Sequence, residues 1–220
     1  MTDVATGVTA AVVTMLGMAV LTRPILRRLP EPATGEGKLR YADLATPRLV
    51  AGCTLLAGAG VTMGWLTAPP AIQPLWWVLS SLGVLLMAID ALTTWLPLRL
   101  THAAWVAMGA ALLLSLPLGA DWSTVLRAVT GAGLAGLLYL GVWLVSRGGL
   151  GFGDVRFAPL VGAATAAHSW SLLIWAMLFG SVLGALYGIM RLARRRAGPF
   201  PYAPAMLLGA YLACGTAWAG

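Results

Sequence analysis

Apolar residues fill most of the chain in long runs that short polar stretches separate. Most runs approach the roughly 20 residues that a helix needs to cross about 30 Å of hydrocarbon. None alternates as a barrel strand would, and backbone groups in lipid must bond within their own segment, so each run is predicted to be a helix. The runs cover residues 4–22, 49–68, 75–91, 102–118, 122–145, 155–168, 170–190 and 203–219. The pattern predicts an all-α, polytopic membrane bundle of about eight transmembrane helices.

The composition agrees with a membrane protein. Hydrophobic residues make up 60% of the chain and charged residues 10%, whereas a soluble domain carries about 25% charged residues. The 14 Lys and Arg against 7 Asp and Glu are therefore interpreted by their position relative to the bilayer, and no nucleic-acid partner is expected. Cys53 and Cys214 lie inside apolar runs and form no zinc motif. We expect the lipid bilayer as a partner and no metal or cofactor.

The basic residues predict the orientation of the bundle. The run at 155–168 is short, and the sequence leaves open whether it fully crosses. If it crosses and the N-terminus lies outside, every basic residue except Arg127 falls on the inner side, as the positive-inside rule requires. We therefore predict eight crossings with both termini outside. Residues 1–74 would form two helices joined by a short basic loop, and residues 75–220 a six-helix core.

Two acids are harder to explain than the other five. Asp90 ends the third run and Asp154 opens the sixth, so the predicted topology places both at the inner ends of helices. An ionisable group at membrane depth is costly and is a candidate for function. Asp154 alone could be a helix cap, but the helix dipole disfavours a negative charge at the position of Asp90.

Paired carboxylates have a well-defined chemistry. Two of them in a desolvated site share one proton, so the charged member can activate water while the protonated member polarises a carbonyl. No Ser–His or Cys–His set competes, because His102 and His168 are predicted at the membrane interface. Four of the six residues before Asp154 are glycine, which permits close approach of an extended chain.

Three segments resemble motifs of the type IV prepilin peptidases. Ile89-Asp90 followed by Pro97 is similar to the first catalytic motif of that family. Gly151-Phe152-Gly153-Asp154 resembles its Gly-x-Gly-Asp motif, and Phe200-Pro201-Tyr202-Ala203-Pro204-Ala205 resembles the Pro-Phe-Gly-Pro element that opens the last helix. The resemblance extends over about residues 75–219.

The resemblance implies an activity. Such a protein is a membrane aspartic endopeptidase that removes the basic leader from prepilin or pseudopilin precursors at the cytoplasmic face of the inner (plasma) membrane. Asp90 and Asp154 would be its catalytic pair. Four further residues would contact the substrate: Gly151, Gly153, Pro97 and Arg156.

The chain also departs from the family pattern. The loop between the first two helices is short and lacks cysteine, so a short form without the cysteine-motif domain is expected, and N-methyltransferase activity is not. Leu98 stands where many relatives carry Asp or Asn, and Arg156 stands where Lys is usual.

Three other interpretations stay open at this point. A small transporter could use Asp90 and Asp154 as proton or cation sites, although the chain shows no two-fold repeat. A degenerate homologue could bind pilins without cutting them, in keeping with Leu98. A presenilin-like protease would share the mechanism, but Pro97 favours the prepilin peptidases.

Overall fold

The computed structural model describes residues 4–30, 39–146, 150–195 and 200–218, and the regular structure in these ranges is helical throughout. The prediction of an all-α bundle of about eight helices is confirmed. The predicted loop residues Glu31, Glu36 and Lys38, together with Asp3, Arg147, Gly148, Gly149 and Arg196, lie outside the described residues. The helices are α1 (Val4–Arg28), α2 (Pro47–Thr67), α3 (Pro70–Thr93), α4 (Leu98–Ser115), α5 (Trp122–Ser146), α6 (Phe152–His168), α7 (Trp170–Ala193) and α8 (Ala203–Trp218).

Six of the described helices are long and apolar enough to cross a membrane, namely α1 to α5 and α7. The other two are shorter, with 17 residues in α6 and 16 in α8. The first two helices pack against each other, where Gly7 faces Trp65 and Gly58 faces Met15. Through α2 this pair also contacts α3 and α8. In the connection from α1 to α2, a 3-10 helix at Tyr41–Leu44 buries its first and last side chains.

Helix α3 is longer than the third apolar run predicts and is not regular along its length. It contains a π-helical turn at Leu79–Gly83, in which the chain holds one more residue than an α-helical turn would. The hydroxyl of Ser80 in this turn lies 2.6 Å from that of Tyr211 in α8. The helix ends at Thr93, and the next residue, Thr94, has a left-handed backbone (φ 57°) and donates its N–H to the carbonyl of Asp90 at 2.7 Å.

Helix α6 occupies the centre of the bundle. Twelve of its 17 residues are buried, and it contacts α4, α5, α7 and α8. At about 1.5 Å per residue it rises about 25 Å, close to the hydrocarbon thickness. The short sixth run is therefore a continuous helix that its neighbours enclose.

Glycines let α5 and α6 touch along their backbones. A Cβ at Gly131 would overlap that of Ala166 and lie 2.8 Å from the carbonyl oxygen of Gly162. A Cβ at Gly162 would in turn lie 2.6 Å from that of Ala135. Small residues at such contacts are the usual means by which membrane helices approach closely.

The two helices run antiparallel, and three contacts fix their register. The Arg127 guanidinium donates to the carbonyl of Ala167 at 3.3 Å. A Cβ added to Gly136 would lie 3.2 Å from Cγ of Pro159. The rings of Trp143 and Phe152 meet edge to face at 5.1 Å. Later residues of α5 therefore face earlier residues of α6, and the end of α5 lies beside the first turn of α6.

The α5–α6 contact gives a prediction about stability. Gly131→Ala adds a methyl group against backbone that cannot easily move, so we expect the free energy of unfolding to fall by about 1–3 kcal/mol. Gly133, on the same helix, has open space around it, and Gly133→Ala should change stability by less than about 0.5 kcal/mol. Unfolding of the purified protein in detergent measures both. Equal stability of the two variants would contradict this packing.

Candidate active site

Two helix ends bring Asp90 and Asp154 together. Asp90 lies in the last turn of α3, and Asp154 lies in the first turn of α6. Each residue is 3% exposed, and the two carboxylates are close enough for the charge of Asp90 to act on Asp154. The two acids that the sequence singled out thus share one buried location.

The start of α8 is the third element of this location. The backbone N–H of Ala203 donates to Oδ2 of Asp90 at 3.2 Å, and the backbones of Tyr202 and Ala203 interact with both carboxylates. Pro201 and Pro204 flank these two residues and carry no N–H of their own. Because the first N–H groups of a helix have no partner within it and carry partial positive charge, they suit an anion.

The two oxygens of Asp154 have different surroundings. Oδ2 lies beside the backbone of Gly151, where a Cβ would come within 3.2 Å of it. Oδ1 is buried and accepts no hydrogen bond from the described residues. A buried polar atom without a partner costs free energy, so Oδ1 can readily bind a water molecule or a polar group of a substrate.

Gly153 joins the Asp154 turn to the connection that follows Asp90. A Cβ on Gly153 would lie 2.9 Å from both Cβ and Cδ1 of Leu96, so glycine allows the first turn of α6 to approach this connection. The next residue, Pro97, is buried, and its carbonyl accepts hydrogen bonds from the N–H and hydroxyl of Thr101 at 3.0 and 3.1 Å. Gly151 and Gly153 therefore lie in the turn that carries Asp154, and Pro97 follows Leu96, which packs against Gly153.

Comparison with known proteins gives a match to this part of the chain. The model of the type IV leader peptidase family matches residues 77–189, which include both aspartates and make up just over half of the chain. The chain belongs to the type IV leader peptidase family. No curated protein and no solved structure matches it. Membership implies a peptidase, of aspartic type in this family, and the apolar helices indicate a multi-pass membrane protein.

In this family member Arg156 lies in the next turn of α6 after Asp154. Its guanidinium lies over the ring of Phe152, 4.7 Å from the centroid, and its carbonyl accepts from Nε1 of Trp105 at 2.9 Å. Among the described contacts, then, Arg156 bonds to aromatic side chains of α4 and α6 and not to the carboxylates. Leu98 is 45% exposed at the start of α4, so its side chain is not part of the buried location.

Sequence reasoning did not single out Tyr202 and Ala203, which contact the acids, or Tyr139, which packs against Tyr202. The segment at 200–205 is recognisable by its prolines, but Tyr202 and Ala203 act through backbone N–H groups, which no side chain reveals. The family match also ends before them. Tyr139 lies in an apolar run, and nothing in the sequence marks it as functional. In the structure its ring packs edge to face on that of Tyr202, with the centroids 5.5 Å apart.

The position of Tyr202 depends on a glycine of α7, which gives a second prediction. A Cβ at Gly184 would lie 2.6 Å from Cζ of Tyr202, so Gly184→Ala should displace the ring and with it the backbone that contacts the aspartates. We expect peptidase activity to fall by about tenfold, which corresponds to the net value of a hydrogen bond to a charged group. Rates of precursor cleavage measure this.

Gly188 provides the matched control for this variant. It lies one turn further along α7 and has nothing near its Cβ position, so Gly188→Ala should keep the activity of the natural protein. Unchanged activity of Gly184→Ala would show that the placement of Tyr202 does not matter to catalysis.

Proposed function

We propose that this protein is an aspartic endopeptidase that removes the basic leader from prepilin or pseudopilin precursors at the cytoplasmic face of the inner membrane. The observation that carries the proposal is the pairing of two buried carboxylates, Asp90 and Asp154, at one end of an apolar helix bundle. Membership of the type IV leader peptidase family supports the choice of substrate.

The surroundings of the two acids support a different role for each. Asp90 accepts the N–H of Ala203 at the start of α8, which stabilises its ionised form. As the anion, it acts as the general base that takes a proton from the attacking water. Asp154 keeps the proton that the pair shares, and its unpartnered Oδ1 is free to bind the scissile carbonyl.

The reaction then proceeds through a tetrahedral intermediate. The water oxygen bonds to the carbonyl carbon while Asp90 takes one of its protons. The C–N bond breaks as the leaving amine receives a proton, which the acids supply between them. The pair returns to its singly protonated state after each cleavage, so no cofactor or metal is needed.

Basic residues at the connected helix ends support a cytoplasmic location for this site. Arg28 ends α1, Arg48 lies in the first turn of α2, Arg99 in that of α4, and Arg191 in the last turn of α7. Arg99 follows the connection that leads away from Asp90, and Arg191 precedes the connection that leads to Ala203, whereas Arg28 and Arg48 border the connection from α1 to α2. By the positive-inside rule such an end faces the cytoplasm.

We further propose that the protein cleaves without methylating. The segment between α1 and α2 contains no cysteine and therefore cannot supply the paired cysteines associated with N-methylation in the long family members. The cleaved pilin would keep a free amino terminus unless another enzyme modifies it.

Substitution of the two acids tests the peptidase assignment. The protein is co-expressed with a tagged prepilin that carries a short basic leader, and loss of the leader is followed by gel mobility. Asp90→Asn and Asp154→Asn should each slow cleavage by about 10²–10⁴-fold, because each removes a proton-transfer group. Asp121→Asn is the control, since Asp121 bonds to Ser123 and Thr124 at the start of α5, away from the site.

Two results would contradict the proposal. Undiminished cleavage by either variant would remove that aspartate from the mechanism. An intact precursor beside the well-folded natural protein would argue against the activity, and proton or cation flux through proteoliposomes would then favour the transporter interpretation.

A further inference from the structure

The side chain of Tyr139 is buried in α5 with its hydroxyl unused. The residue is 3% exposed, and the hydroxyl makes no hydrogen bond to the described residues. The side chains of Tyr202 and Ser181 are near enough to interact with the hydroxyl, but neither forms a hydrogen bond of normal geometry with it. Because a buried tyrosine hydroxyl normally finds a partner, and one without a partner lowers stability, its presence needs an explanation.

The register of α5 against α6 places Tyr139 opposite the first turns of α6, which carry Asp154. Gly136 faces Pro159, and Trp143 contacts Phe152. Tyr139 lies midway between those two positions of α5 and so faces the stretch between Phe152 and Pro159, where Asp154 lies. The side chains of Asp154 and Tyr139 are close enough to interact electrostatically.

A second contact connects Tyr139 to the same site. Its ring packs edge to face on that of Tyr202, and the backbone at Tyr202 interacts with both carboxylates. Tyr139 is therefore next to α6 and to the start of α8, the two elements that hold Asp154 and contact Asp90. Its hydroxyl and Oδ1 of Asp154 are both buried polar atoms without partners at this end of the bundle.

We propose that Tyr139 is a third polar group of the active site and donates a hydrogen bond to the scissile carbonyl oxygen during cleavage. This inference rests on the proposed function. As water attacks, the C=O bond becomes a single bond and negative charge develops on the oxygen. A preorganised donor in a water-poor site stabilises that charge. The phenol keeps its proton throughout, so the proton transfers remain with the two aspartates.

Tyr211 shows how a tyrosine with a structural role differs. Its hydroxyl pairs with Ser80 at 2.6 Å within the helix bundle, so removing that hydroxyl breaks a bond that exists in the resting protein. Removing the hydroxyl of Tyr139 breaks none among the described residues. The two tyrosines therefore form a matched pair for substitution by phenylalanine.

The test compares Tyr139→Phe with Tyr211→Phe in the full chain, using the same tagged prepilin precursor in detergent. Tyr139→Phe should lower kcat by about 10²-fold, as loss of one such donor does, with KM within about twofold. Its pH–rate profile should keep its shape, because the phenol does not titrate during the reaction. Its thermal midpoint should stay the same or rise, because the lost hydroxyl was unsatisfied. Tyr211→Phe should lower the midpoint and leave kcat within about twofold.

The outcomes separate the inference from the proposed function. If Tyr139→Phe cleaves at the rate of the natural protein, or loses activity only with a fall in midpoint like that of Tyr211→Phe, the catalytic assignment of Tyr139 is wrong. In both cases the loss of cleavage in the aspartate variants still supports the peptidase. If the natural protein leaves the precursor intact, the proposed function fails and the role of Tyr139 fails with it.

Discussion

The cost of placing two carboxylates in an apolar bundle is the constraint on which this structure depends. Neither acid could be buried alone without a large desolvation penalty. The bundle offsets this penalty at one end, where the last turn of α3 and the first turns of α6 and α8 converge. There the N–H of Ala203 reaches Asp90 directly, and the start of α8 interacts with Asp154 as well. The remaining packing serves to hold these three ends in contact.

Helix α6 illustrates how packing holds these helix ends in place. It carries Asp154, is nearly buried along its length, and approaches α5 closely enough for Gly131 and Gly162 to touch. A similar contact joins α7 and α8, where the backbones of Gly180 and Gly209 meet. Glycine at these contacts replaces side-chain interdigitation with direct backbone packing, which suits a lipid environment where apolar side chains gain little by meeting one another. The two shorter helices, α6 and α8, are thereby fixed from several sides.

Much of this could be predicted from the sequence, and the limits have physical causes. Apolar runs predict helices reliably because lipid permits few other structures. Asp90 and Asp154 are conspicuous because acids are rare in such runs. Tyr202 and Ala203 could not be identified in the same way, because their backbone N–H groups contact the acids and any residue but proline has one. The position of Tyr139 could be predicted only from the register between α5 and α6, and that register depends on which glycines face each other. The π-helical turn in α3 leaves no mark in the apolar pattern.

That turn has a consequence for the direction in which Asp90 points. Each residue of an α-helix rotates the chain by about 100°, so one additional residue within a turn swings everything beyond it around the helix axis. The Leu79–Gly83 turn lies about two turns before Asp90. If residues 79–83 formed a regular α-helical turn instead, the side chain of Asp90 would point toward a different side of the helix. The rotational setting of the acid is thus determined deep in the bundle, by a turn that is remote from the chemistry.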